Sequence, residues 1–388
     1  MTQTAPPSDT LNPHAEGSLV IRRGQILVYR IFDVAAEIDL LAAENILSLK
    51  RGESRVRIAT GKSTSTPSII IRNAPIRVHL GEVDVTNGGA VVRAEVVATV
   101  WDYGVISICF QIPLRDRPWK SLVDQAVELS GTNPYSVNME EAAHRKCIEI
   151  AEMLKNTFKK PNESKIVEDY IIYFLEHIDG ITNAADLVAK ADLPELILAE
   201  TQERLSSKAR DGVMENLYQY SVNDLVLIDW NSAIVLEKGG QRDVVDVLEF
   251  AVTHLLELRY YDEMLDHRLT ELYDAIEAGR EKLWKRTKFV QLSHDANTKF
   301  IEFSEFMERI DNSLKVVGDF YLATLFRGAG RRFRIRDWQQ SITRKMNLLA
   351  QVSEMLQGES NVRMSHLLEV IVIVLIGFEL FSAMVKIH

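Results

Sequence analysis

Ala90-Val-Val-Arg-Ala-Glu-Val-Val-Ala-Thr-Val-Trp101-Asp-Tyr-Gly104-Val-Ile-Ser-Ile-Cys-Phe-Gln-Ile112 is a pair of β-branched runs on either side of a three-residue joint. Runs of this composition read as strands, over Ala90–Trp101 and Val105–Ile112, and a glycine at the joint supplies the positive φ that a tight hairpin demands. Upstream, further strands are expected over Leu19–Phe32, Ser68–Arg72 and Ile76–Leu80. Between them Ala35, Ile38, Leu41, Ala42 and Ile46 recur at helical spacing, which predicts a helix over Val34–Leu47. Downstream, a helix from Pro118 to Leu129 places proline in its first turn, and Asn138-Met-Glu-Glu141 has capping-box spacing for a helix reaching Thr157. Tyr170–Leu175 reads as a strand, Ala184–Ala191 and Leu193–Leu205 as helices. Leu225–Ile228 and Ala233–Leu236 form a second hairpin across Asp229-Trp230-Asn231-Ser232. Strands interleaved with helices in this way predict an α+β domain over residues 18–240.

The composition bounds the rest. A chain of 388 residues exceeds one small core and suits two domains, and 19 glycines and 10 prolines exclude collagen-like and low-complexity classes. Two cysteines, Cys109 and Cys147, cannot build a disulfide framework and read as buried apolar thiols. A net charge of -10 argues against wholesale polyanion binding. Residues 1–17 have no lysine, arginine or apolar run, so they are expected to be a disordered lead-in rather than a secretory signal or a presequence.

After Lys238-Gly239-Gly240 the pattern turns helical. Val244, Leu248, Ala251, Leu255, Leu258, Asp262, Leu265, Leu269, Leu272 and Ile276 alternate spacings of four and three, a coiled-coil-like seam that only Asp262 interrupts. A second helix from about Lys288 carries Phe303, Met307, Ile310, Leu314, Val317 and Tyr321 on one stripe, and a third starts after Asp337. Together these predict a long-helix hairpin stalk over 241–361, with self-association into a homo-oligomer. Residues 362–388 are the most apolar stretch. At about 1.5 Å per residue, Leu367–Ile387 matches a hydrocarbon core of about 30 Å. That predicts a C-terminal transmembrane helix, a tail anchor with the bulk of the chain in the compartment where it is made; the alternative is a soluble oligomer that buries this apolar helix against protein. Glu369 near its entry and Glu379 deep inside are then the expected contacts between subunits, because an intramembrane carboxyl needs a partner.

No phosphate-binding glycine loop, zinc-protease or serine-hydrolase motif is present, and the expectation is a non-enzymatic scaffold or tether without a metal or cofactor. Two polar clusters stand out. His254, Glu257, Asp262, Glu263, Asp266 and His267 share one predicted helix; they read as a solvated surface, with a metal or acid/base site as the alternative. Arg327, Arg331, Arg332, Arg334 and Arg336 fall in a glycine-broken segment read as a loop. One reading has them paired with acidic faces of neighbouring helices; the other has them binding polyanions, either RNA (free or on the ribosome) or anionic lipid headgroups.

Four segments carry a family resemblance: Val100-Trp-Asp-Tyr-Gly-Val-Ile-Ser-Ile108, Phe250-Ala-Val-Thr-His-Leu-Leu-Glu-Leu-Arg-Tyr-Tyr261, Gly318-Asp-Phe-Tyr321 and His366-Leu-Leu-Glu-Val-Ile-Val-Ile-Val-Leu-Ile-Gly-Phe-Glu-Leu380. The chain resembles the "required for meiotic nuclear division" family, a domain of unknown function with fungal, mitochondrial and bacterial members. The C-terminal segment carries most of that weight. The resemblance implies a membrane anchor, a large homo-oligomer, a role for Glu369 and Glu379 and, for mitochondrial members, support of organellar translation. With no presequence, the resemblance implies a bacterial setting in the inner (cytoplasmic) membrane with the bulk of the chain in the cytoplasm, and it brings no catalytic residue with it.

Overall fold

A computed structural model describes residues 19–51, 74–87, 90–130, 134–162, 166–279, 298, 301, 303–308, 320–352, 369, 372 and 376. The long strand β1 (Val20–Asp33) organises it. Along it follow β2 (Ala35–Ile38), α1 (Leu40–Arg51), β3 (Ile76–Asn87), β4 (Ala90–Val100), β5 (Val105–Leu114), β6 (Arg117–Pro118), α2 (Trp119–Ser130) and α3 (Pro134–Leu154). Next come β7 (Phe158–Pro161), β8 (Val167–Asp179), α4 (Ala184–Lys190), α5 (Leu193–Leu198), α6 (Ser207–Met214), β9 (Leu217–Tyr218), β10 (Leu225–Ile228) and β11 (Ser232–Leu236). Two helices complete the series, α7 (Asp243–Gly279) and α8 (Phe320–Arg332).

Nine strands make one mixed sheet in the order β3-β4-β5-β1-β8-β11-β10-β9, with β6 against the end of β1. β1 runs antiparallel to both β5 and β8, and β11 lies parallel to β8, the register setting Ile234 opposite Tyr173. Alternate residues of a strand face opposite sides. Ile26 and Val28 on β1, Val96 and Ala98 on β4 and Ile108 and Phe110 on β5 join the core that α1, α2, α3 and α5 cover. The other face presents Leu27, Tyr29 and Ile31, all buried, to a different layer. That layer contains the first half of α7 and α8: Trp101 lies 5.4 Å from the Phe250 ring, and Phe250 5.6 Å from Phe326. Residues Val244–Leu258 of α7 are buried at every position. The helix is therefore surrounded, and the polar residues that a single seam would leave in water are inside.

The chain divides into two compact units, Met1–Glu257 with Ile310–Ile335, and Leu258–Arg309 with Arg336–His388. The second unit is helical where described. Tyr261 packs on Phe303 with ring centres 5.1 Å apart, and Ile342, Met346 and Leu349 of the helix over 335–352 are buried. Asp262, the interruption in the apolar seam, accepts a hydrogen bond from Ser341 Oγ at 2.9 Å and pairs with Lys345 at 2.8 Å. A carboxylate on a helix-packing face is tolerated when its charge is met this way.

Several expectations need correction. The transmembrane helix, and with it the tail anchor and the inner-membrane location, is not supported. No helix among the described residues is long and apolar enough to cross a membrane. The physical reason is a span's need for about 20 consecutive apolar residues; α7, long enough at 37 residues, carries charged groups throughout its length. Of the apolar stretch only Glu369, Val372 and Ile376 are described, each helical and exposed, and Glu379 lies outside the described residues. So does the strand expected over Ser68–Arg72. The helix expected from Val34 starts at Leu40, because Ala35–Ile38 pairs with Lys159 and Phe158 of β7 instead. The arginine-rich segment is no loop: Arg327–Arg332 closes α8, and after two residues a new helix runs over 335–352.

The joint at Gly104 is as tight as its sequence demands. Its φ is +89°, its carbonyl accepts the amides of Val34 and Ala35 at 2.9 and 3.3 Å, and a Cβ there would overlap the Ala35 carbonyl. Gly104→Ala is expected to cost about 3 kcal/mol through strain and displacement of the Ala35 backbone. Urea unfolding monitored by circular dichroism measures this, and a change below about 0.5 kcal/mol contradicts the close approach.

Candidate functional site: an arginine cleft at the end of α8

The turn between β10 and β11 is fixed from three directions. Asp229 N donates to Ser232 O at 2.8 Å, closing the turn. Tyr170 of β8 donates its hydroxyl to the carbonyls of Ser232 at 2.9 Å and Asp229 at 3.2 Å, and Ser232 Oγ donates to Ile197 O at 2.8 Å. Held like this, the turn buries the Asp229 side chain and leaves Trp230 43% exposed.

A buried carboxylate requires a cation or a proton. Arg332, in the last turn of α8, donates Nε to Asp229 Oδ1 at 2.6 Å, and its Nη2 reaches the same oxygen. Phe333, fully buried, meets the Tyr170 ring edge-on at 5.6 Å. Arg334 then takes a left-handed φ of 55°, which ends the helix with the Phe333 amide bonded to Ala329 O and the Arg334 amide to Arg331 O. That reversal sets Arg331 and Arg334 on the exposed side of the pair. Gly328, one turn earlier, sits where a Cβ would overlap the Tyr218 hydroxyl, and Arg331 Nη2 donates to that hydroxyl at 3.2 Å. A mid-helix glycine costs up to about 1 kcal/mol; here it lets Tyr218 lie against α8.

The outcome is a cleft of about 490 Å³ whose walls include Arg331, Arg332, Arg334, Trp230, Asn216 and Glu215. Arg332 is committed to Asp229, whereas Arg331 and Arg334 are exposed. The helix C-terminus favours cations and lowers the cost of assembling three of them. Two guanidinium forks, an indole face and a carboxamide can recognise a planar group and an oxyanion together. Arg327 is exposed farther up α8, its guanidinium carbon 6.0 Å from the Phe320 ring centre, and Arg336 is exposed in the second unit. The sequence singled out the arginines but missed Asp229, Trp230, Asn216 and Tyr218. An unprotected tryptophan in a turn between apolar strands was the available signal.

The other polar cluster comes apart. Glu263 and His267 are exposed and 3.8 Å apart, Asp266 pairs with Lys345 at 2.7 Å, and His254 and Glu257 are buried. Among the described residues no group of histidine, cysteine and carboxylate side chains could hold a metal. A buried polar layer that the sequence did not disclose lies between β3 and α7. Arg77 of β3 pairs with Asp246 and lies 3.5 Å from Glu249. Burial raises the pKa of both carboxyls, with Arg77 pulling them back. Burial pushes His254 down to about 3, keeping the ring neutral, and pushes the Cys109 thiol up to about 12.

A family model described as "Uncharacterized protein MJ0711, N-terminal domain" matches residues 23–242, more than half of the chain. An "Uncharacterized protein MJ0711" of Methanocaldococcus jannaschii is 26% identical over 290 residues, covering 70% of this chain and 87% of its own. No solved structure matches. These findings overturn the resemblance to the "required for meiotic nuclear division" family. Its heaviest segment, His366–Leu380, lies outside the residues that the family model matches.

Two outcomes follow. Arg332→Ala leaves Asp229 buried without its cation and is expected to lower stability by about 2–3 kcal/mol, with Arg332→Ala/Asp229→Asn recovering part of the loss; additive losses in urea titrations contradict the pairing. For His254, the folded pKa of about 3 lies below the unfolded value, so the unfolded chain takes up the proton first. Its contribution is complete above about pH 6.5 and is lost as the pH falls toward 3. Relative to His254→Gln, the native chain is expected to lose stability by about 1 kcal/mol per pH unit between pH 6 and 5. Parallel pH profiles contradict a buried neutral ring.

Proposed function

The chain belongs to the MJ0711 N-terminal-domain family, a membership that brings ancestry without chemistry, and we propose from the site's own groups that the protein is a non-catalytic module binding a phosphate-bearing polyanion. The observation that carries this reading is the division of labour at the end of α8. Arg332 is held by a buried carboxylate, while Arg331 and Arg334 face an open cleft beside Trp230 and Asn216. Guanidinium forks match phosphate oxygens bidentately. Among the cleft's described walls Glu215 is the one carboxylate, and no histidine, hydroxyl or thiol supplies a base or a nucleophile, which favours binding over turnover. The net charge of -10 sharpens the point, because anion recruitment then rests on local placement rather than on the chain's overall field. The oligomeric-scaffold reading has no comparable observation behind it.

Calorimetric titration with inorganic tripolyphosphate at low salt is the test. The native chain is expected to bind, with affinity falling as NaCl rises, and Arg331→Gln/Arg334→Gln is expected to weaken binding at least about tenfold, as lost charge-assisted pairs do. Equal affinity in the double variant, verified as folded, contradicts the reading.

A further inference from the structure

The cleft opens onto a surface with an uncommon composition. Tyr220 is 77% exposed, Phe320 82%, Val222 70% and Trp230 43%. Tyr220 and Tyr321 rings are 5.3 Å apart at 43°. The strand end at Tyr218 and the loop after it therefore track one face of α8, with Tyr218 beside Gly328 and Arg331 and Tyr220 beside Tyr321. Arg327, Arg331 and Arg334 are exposed along the same stretch. Glu215 lies at the cleft, and Asp224 accepts the Tyr220 and Ser221 amides at 2.8 and 3.0 Å and so holds the tyrosine loop in place.

We propose that this face of α8 is a platform for single-stranded nucleic acid, with Trp230 and the Tyr220–Tyr321 pair stacking bases and Arg327, Arg331 and Arg334 meeting the phosphates. The proposal rests on the cleft being a polyanion site and names its ligand. Exposed aromatics leave a large apolar area in water unless something planar covers them. Interleaved with cations in an otherwise acidic chain, they complement a ligand that alternates flat apolar rings with negative charge. A lipid headgroup surface offers the charge but no rings to stack; a small anion fills the cleft and leaves the tyrosines uncovered. From Tyr321 to Arg331 the helix rises about 15 Å. That length accommodates two to three extended nucleotides, and duplex bases, stacked on each other, cannot reach the rings.

The experiment is fluorescence anisotropy on the full chain with end-labelled eight-residue probes: oligoribonucleotide, oligodeoxyribonucleotide, an abasic phosphodiester of equal length, and a duplex. Tripolyphosphate binding is measured alongside. Single strands of either sugar are expected to bind at least about tenfold tighter than the abasic strand or the duplex, because each stacked base contributes on the order of 1–3 kcal/mol. The 2′-hydroxyl comparison then identifies the sugar. Trp230→Leu and Tyr220→Leu, both at exposed positions, are expected to weaken the oligonucleotide about tenfold, and Tyr220→Leu, which lies outside the cleft walls, is expected to leave tripolyphosphate unchanged. Equal affinity for abasic and base-bearing strands overturns the platform and leaves the anion site standing. Failure of every probe, tripolyphosphate included, overturns both. Retention on phosphatidylserine–phosphatidylcholine vesicles without oligonucleotide binding overturns the nucleic-acid assignment in favour of a lipid surface.

Discussion

A central strand buried on both faces requires cover on both. β1 is that strand, bonded to β5 on one side and β8 on the other, and its alternate residues Val28 and Tyr29 are buried in opposite directions. α1 to α3 cover one face with chain that is near in sequence. The second face is covered by the first half of α7 and by α8, more than sixty residues later, and the nine-stranded sheet is two-sided only because that chain returns. The site lies at the point where the returning helix is anchored.

The anchoring is electrostatic and aromatic together. Phe333 supplies burial against Tyr170, and Arg332 meets the Asp229 carboxylate in the turn that Tyr170 also holds. A buried charge pair adds little net stability over an apolar pair but penalises every arrangement that leaves a partner unmet. Here the penalised arrangements are other positions of the α8 end. Fixing Arg332 fixes Arg331 and Arg334 on the cleft side, so one structural arginine orients two exposed ones.

What the sequence disclosed was what neighbouring residues determine. The hairpin at Asp102-Tyr103-Gly104 and the one around Asp229–Ser232 are written in local turn chemistry, and both form. Where distant chain decides, local reading fails. Ala35–Ile38 has helical periodicity but is claimed by β7 more than a hundred residues on. β3 runs past the expected end at Leu80 because Gly81, at φ +82°, absorbs the register shift between His79 and Glu82. Two glycines suggested a loop at 327–336, yet Gly328 is there to admit Tyr218. The α7 seam reads against one partner, although the helix is enclosed, so His254 and Glu257 read as solvated yet are buried. The arginines of the site were legible as a cluster; their division into one structural and two exposed members depended on Asp229, a hundred residues away.

The central claim is that α8, its anchoring turn and the tyrosine loop act as one ligand-binding surface. Hydrogen–deuterium exchange of the full chain, with and without a saturating single-stranded oligonucleotide, tests it most directly. The account predicts slowed exchange in 216–231 and 320–334, with the Arg77–Asp246 layer unchanged. Protection confined to other segments, with these two unaffected, would contradict it.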